Sequence, residues 1–212
     1  LYLFKFAGVD PETGQETFWK DVVDGEGKVT GREKTFNINE ATQYEIGDAL
    51  PDVTGGFRTS FRWKNFDFML AAAYQIGGRQ WDGNSANVYS PGRAGFTASQ
   101  DLVGNTWTPE HTNAKFPKLM FNGTWNFVGS NCDYLYRDAS YFSLKTINVG
   151  YTLPKRWTSK ICIESLRVFF AADNLYFTSA HTGFDPRTAY AGQNAFGFPQ
   201  AKTFTFGITM NL

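Results

Sequence analysis

The chain of 212 residues carries 20 basic and 20 acidic residues, so its formal net charge at pH 7 is zero. This balance argues against a nucleic-acid partner and against binding to an anionic membrane surface. Aromatic residues make up 17% of the chain and 21 residues are glycine, which is typical of a turn-rich all-β protein. The longest apolar run, Phe68 to Tyr74, is far shorter than the roughly 20 residues of a membrane helix, so any membrane insertion must use strands.

Residues 1–52 are predicted to be a loop region with short strands, because Asp10-Pro11 and Thr13-Gly14 are turn signals between its apolar segments. The stretch from Val22 to Val29 resembles a calcium-binding loop only faintly. Val22 occupies the first ligand position, and no acidic residue closes the loop at the proper distance. We expect a glycine-rich turn here, and we expect neither a metal nor a cofactor.

The next stretch predicts an antiparallel hairpin of two long strands, 53–63 and 66–77, joined by the short turn Lys64-Asn65. Large apolar residues such as Phe61 alternate with polar residues such as Arg62, and period two is the period of a strand. One face of the hairpin is therefore apolar and the other polar. The pattern is compatible with two environments, a face packed on a second sheet or a face against lipid with the polar side lining a lumen.

Residues 78–138 are rich in Gly, Asn, Ser and Thr and predict a long loop. A structureless insertion of this length is evidence against a compact soluble sandwich, whereas a transporter barrel has such loops on its external side. The aromatic rings of this loop can stack on a sugar, clasp a partner, or pack the loop on itself. As contacts to a ligand or partner we select Trp81, Tyr89 and Trp107.

Three further strands are predicted at 139–152, 164–175 and 200–212, separated by a modest connection at 153–163 and a long loop at 176–199. The apolar parity changes near Lys145, which indicates a bulge or a change of facing. These strands reach the length of about 9 to 11 residues that a transmembrane strand needs. Short turns then lie on one side and long loops on the other, the asymmetry of an outer-membrane barrel.

Five strands cannot close a barrel, for which about eight is the smallest usual number, so we expect further strands from a preceding part of the chain or another polypeptide. The start at Leu1, without Met and without a signal peptide, agrees with a fragment or a processed piece. Cys132 and Cys162 are expected to be unpaired, because a membrane-spanning strand separates them and a disulfide tolerates a Cα separation of only about 7 Å.

Alternation also assigns side chains to the two faces of the strands, since a slip of one residue would place arginine in hydrocarbon. The residues expected to face lipid are Phe57, Phe61, Phe66, Phe68, Phe204, Phe206 and Ile208. Those expected to face the lumen are Arg58, Arg62, Thr205 and Thr209. The chain carries no motif of a nucleophile, a phosphate loop or a dinucleotide site, and its two histidines lack metal-ligand spacing, so we expect no catalytic residues and no enzyme.

Several stretches resemble the C-terminal end of the SusC/RagA-type TonB-dependent outer-membrane transporters, and they follow the order in which that family has them. The resemblance rests on Ala7–Gly14, Ile46–Pro51, Gly55–Phe57, Lys64–Phe68, Trp107–Glu110, Asn113–Pro117, Asp138–Tyr141, Gly150–Pro154, Leu166–Phe169, Ala172–Leu175, Gly183–Pro186 and Thr203–Ile208. It implies an all-β fold, an antiparallel transmembrane β-barrel segment comprising the last five strands of a 22-stranded barrel, with residues 1–52, 78–138 and 176–199 as external loops. Asp173-Asn174-Leu175 is expected to form a turn at the end of a strand.

The resemblance further implies import of oligosaccharides or peptides across the bacterial outer membrane. The partners it implies are a SusD-like lipoprotein as external lid, the TonB complex acting through an N-terminal part that is missing here, the rest of the barrel, and outer-membrane lipid. The chain departs from the family pattern by ending on Leu212 where outer-membrane barrels commonly end on an aromatic residue.

Two other functions are open at this point. A soluble or surface-anchored β-sandwich could bind glycans through its loop aromatics, and it would bury the faces of Phe57 and Phe204 between sheets where a barrel exposes them to lipid. A glycosidase would need paired carboxylates, and nothing fixes the separation of Asp82, Asp101 and Glu110 in the long loop.

Overall fold

The computed structural model describes residues 1–89, 97–120, 123–188, 193–194 and 199–212, and parts of the predicted loops 78–138 and 176–199 lie outside these residues. The described strands and α-helices are, in chain order, β1 (Tyr2–Phe4), β2 (Phe6–Val9), β3 (Glu16–Val23), β4 (Val29–Thr35), β5 (Gln43–Glu45), β6 (Val53–Trp63), β7 (Phe66–Ile76), β8 (Arg79–Asp82), α1 (Gly83–Val88), β9 (Tyr136–Asp138), β10 (Tyr141–Thr152), α2 (Lys155–Thr158), β11 (Ser165–Ser179), β12 (Gln193–Asn194) and β13 (Thr203–Asn211). Short 3-10 helices lie at Ile38–Glu40, Gln100–Leu102, Asn126–Val128, Asp133–Leu135, Ser159–Ile161 and Pro186–Thr188. The predicted all-β class is confirmed.

The chain divides into two compact units. Residues 1–49 and 79–138, with 187–188 and 193–194, form a unit that we call the loop unit. Residues 50–78, 139–186 and 199–212 form a second unit that we call the sheet unit. The two segments 1–52 and 78–138, predicted as separate loops, thus fold almost entirely into one body with its own core.

The sheet unit is built on a five-stranded antiparallel sheet in the order β13-β11-β10-β7-β6. Its strands follow the alternation of the sequence and lie within a few residues of the predicted ranges. Lys64 adopts a positive φ of 52° in the turn between β6 and β7. The side-chain amide of Asn65 donates to the carbonyl oxygen of Thr152 at 2.6 Å, which ties this turn to the end of β10.

A bulge interrupts β10 where the apolar parity of the sequence changes. The register shifts between Leu144 and Thr146 in the ladders with both neighbouring strands. Leu144 pairs with Ala72 and Ile147 with Leu70, so the two apolar sets of β10 lie on the same face of the sheet. The predicted bulge near Lys145 is confirmed.

The turn predicted at Asp173-Asn174-Leu175 is wrong, because β11 continues through these residues to Ser179. Asn174 adopts a positive φ of 52° inside the strand. It lies opposite the shift in β10, since Thr146 pairs with Asp173 and Leu144 pairs with Tyr176. Asparagine tolerates left-handed geometry better than most residues, so the motif that suggested a turn makes a kink within the strand.

The loop unit contains three small sheets, β1-β5, β2-β3-β4 and β12-β8-β9, arranged around an aromatic core. Phe127 is central, with its ring stacked on Phe6 at 4.5 Å and on Trp125 at 5.5 Å between centroids. Trp125 stacks in turn on Phe116 at 6.2 Å. The buried members of the core are Phe18, Ala86, Leu102, Phe116, Trp125, Phe127, Val128, Cys132 and Leu135.

The glycine-rich stretch after Val22 forms the turn between β3 and β4, and its acidic side chain serves the backbone of that turn. Oδ1 of Asp24 accepts hydrogen bonds from the backbone amides of Glu26 and Lys28 at 3.0 and 2.9 Å. Within the described part of the chain, no group of three or more histidines, cysteines and carboxylates could hold a metal ion.

Both cysteines are free thiols, Cys132 in the core of the loop unit and Cys162 exposed in the sheet unit. Burial raises the pKa of the Cys132 thiol to about 12. The described part of the chain has no helix that is both long enough and apolar enough to span a membrane.

Candidate functional site

The register of the sheet unit places large apolar side chains of all five strands on one face. One row runs across the whole sheet through Phe61, Phe68, Val149, Phe170 and Phe206, each paired with the next. Residues directly opposite each other in a ladder point to the same face. Phe61 is 63% exposed and Phe206 is 80% exposed, so this face is not covered within the described chain.

The residues predicted to contact lipid all lie on this apolar face. Phe57 pairs with Ala72 and Phe66 pairs with Tyr151, in step with the row above. On β13, Phe204 pairs with Ala172 and Ile208 pairs with Val168. The structure therefore brings the predicted residues onto one surface, and their contact with lipid stays a prediction.

The opposite face of the sheet is polar and is organised by an ion pair that bridges two non-adjacent strands. Arg167 on β11 donates to both carboxylate oxygens of Asp67 on β7, at 2.9 and 2.5 Å. The pair crosses β10 at Gly150, where a Cβ atom would overlap both charged groups. Arg167 also donates to the side-chain oxygen of Asn148 at 3.2 Å.

The residues predicted to face the lumen lie on this polar face, where all four are exposed. Arg62 pairs with Asp67, and Arg58 donates to the sulfur of Met69 at 2.9 Å. Thr205 lies opposite Ala171 and Thr209 lies opposite Arg167. Their contact with an aqueous lumen stays a prediction.

The loop unit contains a half-open cleft of about 340 Å³, which we call the Trp81 cleft. A volume of this size is within the usual range for small-molecule sites, about 300 to 1,000 Å³. Two indole rings and four uncharged polar side chains contribute to its wall. The described residues that line it are Trp81, Ala86, Asn87, Thr124, Trp125, Asn126, Val128, Gly129 and Asn131.

The backbone around the Trp81 cleft is held by two buried or half-buried carboxylates. Glu16 of β3 accepts from the backbone amides of Asn126 and Phe127 at 2.9 and 3.0 Å, and from the side-chain amide of Asn126 at 2.7 Å. Asp82, only 5% exposed, caps α1 by accepting from the backbone amide and hydroxyl of Ser85. These bonds fix the two segments that carry the polar lining.

Trp81, the first of the three predicted contact residues, lines the cleft while it also holds the fold. Its ring is half-buried against the aromatic core, and its Nε1–H donates to the carbonyl oxygen of Val128 at 3.2 Å. Trp125, which also lines the cleft, is 5% exposed and donates from Nε1 to the carbonyl oxygen of Lys118 at 3.3 Å.

Tyr89 and Trp107, the other two predicted contact residues, are not among the described residues that line the cleft. The Tyr89 ring packs on Phe116 at 5.2 Å, and its hydroxyl donates to Asp101 at 2.9 Å. Burial, reinforced by the Asp101 carboxylate, raises the pKa of Tyr89 to about 12. These contacts hold Tyr89 in the packing of the loop unit.

Trp107 fastens the turn at residues 10–14. Its Nε1–H donates to the carbonyl oxygen of Pro11 at 3.0 Å, and a Cβ atom on Gly14 would overlap its ring. The positive φ of Gly14, 68°, and the ring above it explain why glycine stands in this turn.

Sequence reasoning missed Trp125 and the asparagines of the cleft. Trp125, Asn126 and Asn131 follow Trp81 by 44 or more positions, and Asn87 lies on the short helix α1. A glycine- and asparagine-rich composition is found both in loops exposed to solvent and in segments that line a cleft. Only the contacts with the distant Glu16 distinguish the two.

No protein-family model matches the chain. The chain is 30% identical over 212 residues to TonB-dependent receptor P3 of Formosa agariphila, a match that covers 95% of this chain and 19% of that protein. It is 25% identical over 177 residues to TonB-dependent receptor SusC of Bacteroides thetaiotaomicron, which covers 82% of this chain and 16% of SusC. The chain thus spans less than a fifth of the length of these curated relatives.

The fold is similar to a chain in the structure of the RagAB peptide importer in its closed-closed state. The TM-score is 0.78 at 23% sequence identity, and the match covers 99% of this chain and 22% of that chain. The likeness is one of fold.

Proposed function

The chain is a homologue of TonB-dependent receptors of the SusC/RagA type and corresponds to their C-terminal portion, and on this premise we propose that it is the C-terminal part of an outer-membrane nutrient transporter. In this proposal the five long strands are the last strands of a 22-stranded barrel in the bacterial outer membrane. The loop unit is the external part that meets the nutrient.

The observation that carries the proposal is the continuous apolar face of the sheet unit opposite a polar face with an ion pair. A soluble sandwich would bury such a face, yet Phe57 is 51% exposed and Phe206 is 80% exposed. Apolar-out and polar-in alternation on strands of nine residues or more is the pattern of a transmembrane barrel. The same observation argues against the β-sandwich alternative.

We further propose that the transported nutrient is an oligosaccharide or a peptide, that a SusD-like lipoprotein covers the external side, and that the TonB complex energises import. The names of the relatives support this, since they are TonB-dependent receptors, SusC among them, and the solved relative is a peptide importer named as a pair, RagAB.

Spin labels on the two faces of the strands test the membrane part of the proposal. In the full-length transporter in lipid vesicles, a label at position 68 should be accessible to oxygen dissolved in the bilayer. A label at position 205 should be accessible to a water-soluble nickel chelate. The reverse pattern would overturn the assignment of the faces.

Uptake measurements test the transport part. A strain that lacks the transporter should lose uptake of an oligosaccharide or peptide that the parent strain imports, and a surface lipoprotein should co-purify with the intact transporter. Unchanged uptake of both ligand classes would contradict the proposed function.

A further inference from the structure

The described residues that line the Trp81 cleft are uncharged. None of the described residues around it is a lysine, arginine, aspartate or glutamate. The carboxylate nearest to them in the hydrogen-bond network is Glu16, and both of its oxygens already accept hydrogen bonds from Asn126 and Phe127. A ligand in the cleft therefore finds no charged partner among the described residues of its wall.

The polar side chains of the cleft can both donate hydrogen bonds to a ligand and accept hydrogen bonds from it. The side-chain amide nitrogen of Asn87 donates to the carbonyl oxygen of Gly83, and that of Asn126 donates to Glu16. These hydrogen bonds leave the side-chain amide oxygen of each asparagine available to accept from a ligand. Among the described residues, the exposed side chains of Thr124 and Asn131 have no hydrogen-bond partner. Amide and hydroxyl groups both donate and accept.

This combination matches the chemistry of a neutral sugar. Sugar hydroxyls donate and accept hydrogen bonds in turn, and the apolar side of a sugar ring can lie against the half-buried indole of Trp81. A peptide with ionised termini or side chains would lose the hydration of its charges without gaining a charged partner.

We infer that the Trp81 cleft is a binding subsite for an uncharged oligosaccharide. The inference rests on the proposed transport function and selects, from its two ligand classes, the sugar. Trp81 supplies the apolar platform, and Asn131 with Thr124 supplies the hydrogen bonds at the open rim.

The test is calorimetric titration of the purified full-length transporter with an array of neutral oligosaccharides, and separately with synthetic decapeptides that carry ionised ends. At least one neutral oligosaccharide should bind. Trp81→Ala should weaken its binding about tenfold or more, and Asn131→Ala about three- to tenfold, as expected for an interface ring and for hydrogen bonds at an exposed rim. Trp157→Ala removes an exposed ring of the sheet unit and should leave the affinity unchanged.

Thiol labelling shows that each variant is folded. Cys132 lies in the core of the loop unit and is 0% exposed, so it should stay unreactive to maleimide, while the exposed Cys162 reacts. Asn131→Ala carries the test if Trp81→Ala makes Cys132 reactive, because the Asn131 side chain is exposed and is not among the residues of the hydrophobic core.

Three results would overturn the inference: no neutral oligosaccharide binds, an oligosaccharide binds equally to the folded cleft variants, or only the decapeptides depend on the cleft. Uptake by the same variants separates this failure from failure of the proposed function. If both cleft variants retain peptide uptake, the proposed transport function holds and the proposal of a sugar subsite is wrong.

Discussion

The loop unit and the sheet unit are both rich in aromatic residues, but they place these rings in opposite ways. In the loop unit, Phe18, Phe116 and Phe127 are completely buried against one another. In the described part of the sheet unit, the buried apolar side chains are three alanines, Phe184 and Pro186, while large rings such as Phe206 are exposed.

The difference is that one unit buries its own large apolar side chains and the other leaves many of them exposed. The loop unit buries its apolar surface in its own core, which is the ordinary source of stability in aqueous solvent. The sheet unit satisfies its backbone through strand ladders but leaves one apolar face uncovered within the described chain, and an exposed apolar surface of this kind is typical of a face that meets a partner or a membrane. Contact of this face with lipid stays a prediction. The following four experiments test this comparison.

Truncation in the core should have the largest effect. Phe127→Ala removes a completely buried ring and should reduce the stability of the loop unit by about 3 to 5 kcal/mol, since a cavity remains. Hydrogen exchange of the loop-unit amides measures the loss. Tyr2→Ala, at a ring that is 66% exposed, should cost about 0.5 kcal/mol or less. Equal losses in the two variants would remove the distinction between core and surface.

A charge on the apolar face of the sheet unit should have the second-largest effect on stability. Phe206→Arg should reduce the free energy of unfolding from lipid vesicles by about 2 to 4 kcal/mol if the residue lies near the bilayer midplane. Thr205→Arg is its matched control, because the adjacent position lies on the polar face and is also exposed. Titration with urea measures both, and a similar cost for both substitutions would mean that neither face contacts lipid.

The ion pair of the sheet unit should be stronger than an ion pair on the loop unit. A double-mutant cycle with Asp67→Ala and Arg167→Ala should give a coupling of about 1 kcal/mol, because the contact uses two hydrogen bonds and both side chains are only about 30% exposed. The cycle for Arg32 and Asp21 should give about 0.3 kcal/mol, since Arg32 is 56% exposed. The opposite order would show that the polar face is as wet as the loop surface.

Alkaline pH should weaken the loop unit selectively, with the smallest effect. The pKa of Tyr89 rises from an ordinary 10.0 to about 12 on folding, so the unfolded chain loses this proton first. The stabilisation is complete below pH 10 and is lost between pH 10 and about pH 12. Tyr89→Phe should flatten the decline of loop-unit stability in this window, measured by hydrogen exchange or fluorescence. Tyr176→Phe, at an exposed ring of the sheet unit, should leave the decline unchanged.

Much of the sheet unit could be predicted because its information is local. The alternation around Phe61 and Arg62 reports which side chain points to which face, and a change of parity near Lys145 reports the bulge. The prediction failed at Asn174, where a residue typical of turns makes a kink inside β11. A residue with a positive φ fits both a turn and a kink within a strand, and only the pairing with the neighbouring strand decides between them.

The sequence by itself determined the strands, their two faces and the resemblance to a transporter family, because period two and short motifs depend on neighbours in the chain. Only the tertiary structure decided that residues 1–49 and 79–138 share one core, and that Trp81 and Asn126 line one cleft while Trp107 fastens the turn at Gly14. Those arrangements depend on contacts across 90 or more positions, such as Glu16 with Asn126 and Pro11 with Trp107. Composition and spacing carry no record of which distant residues meet.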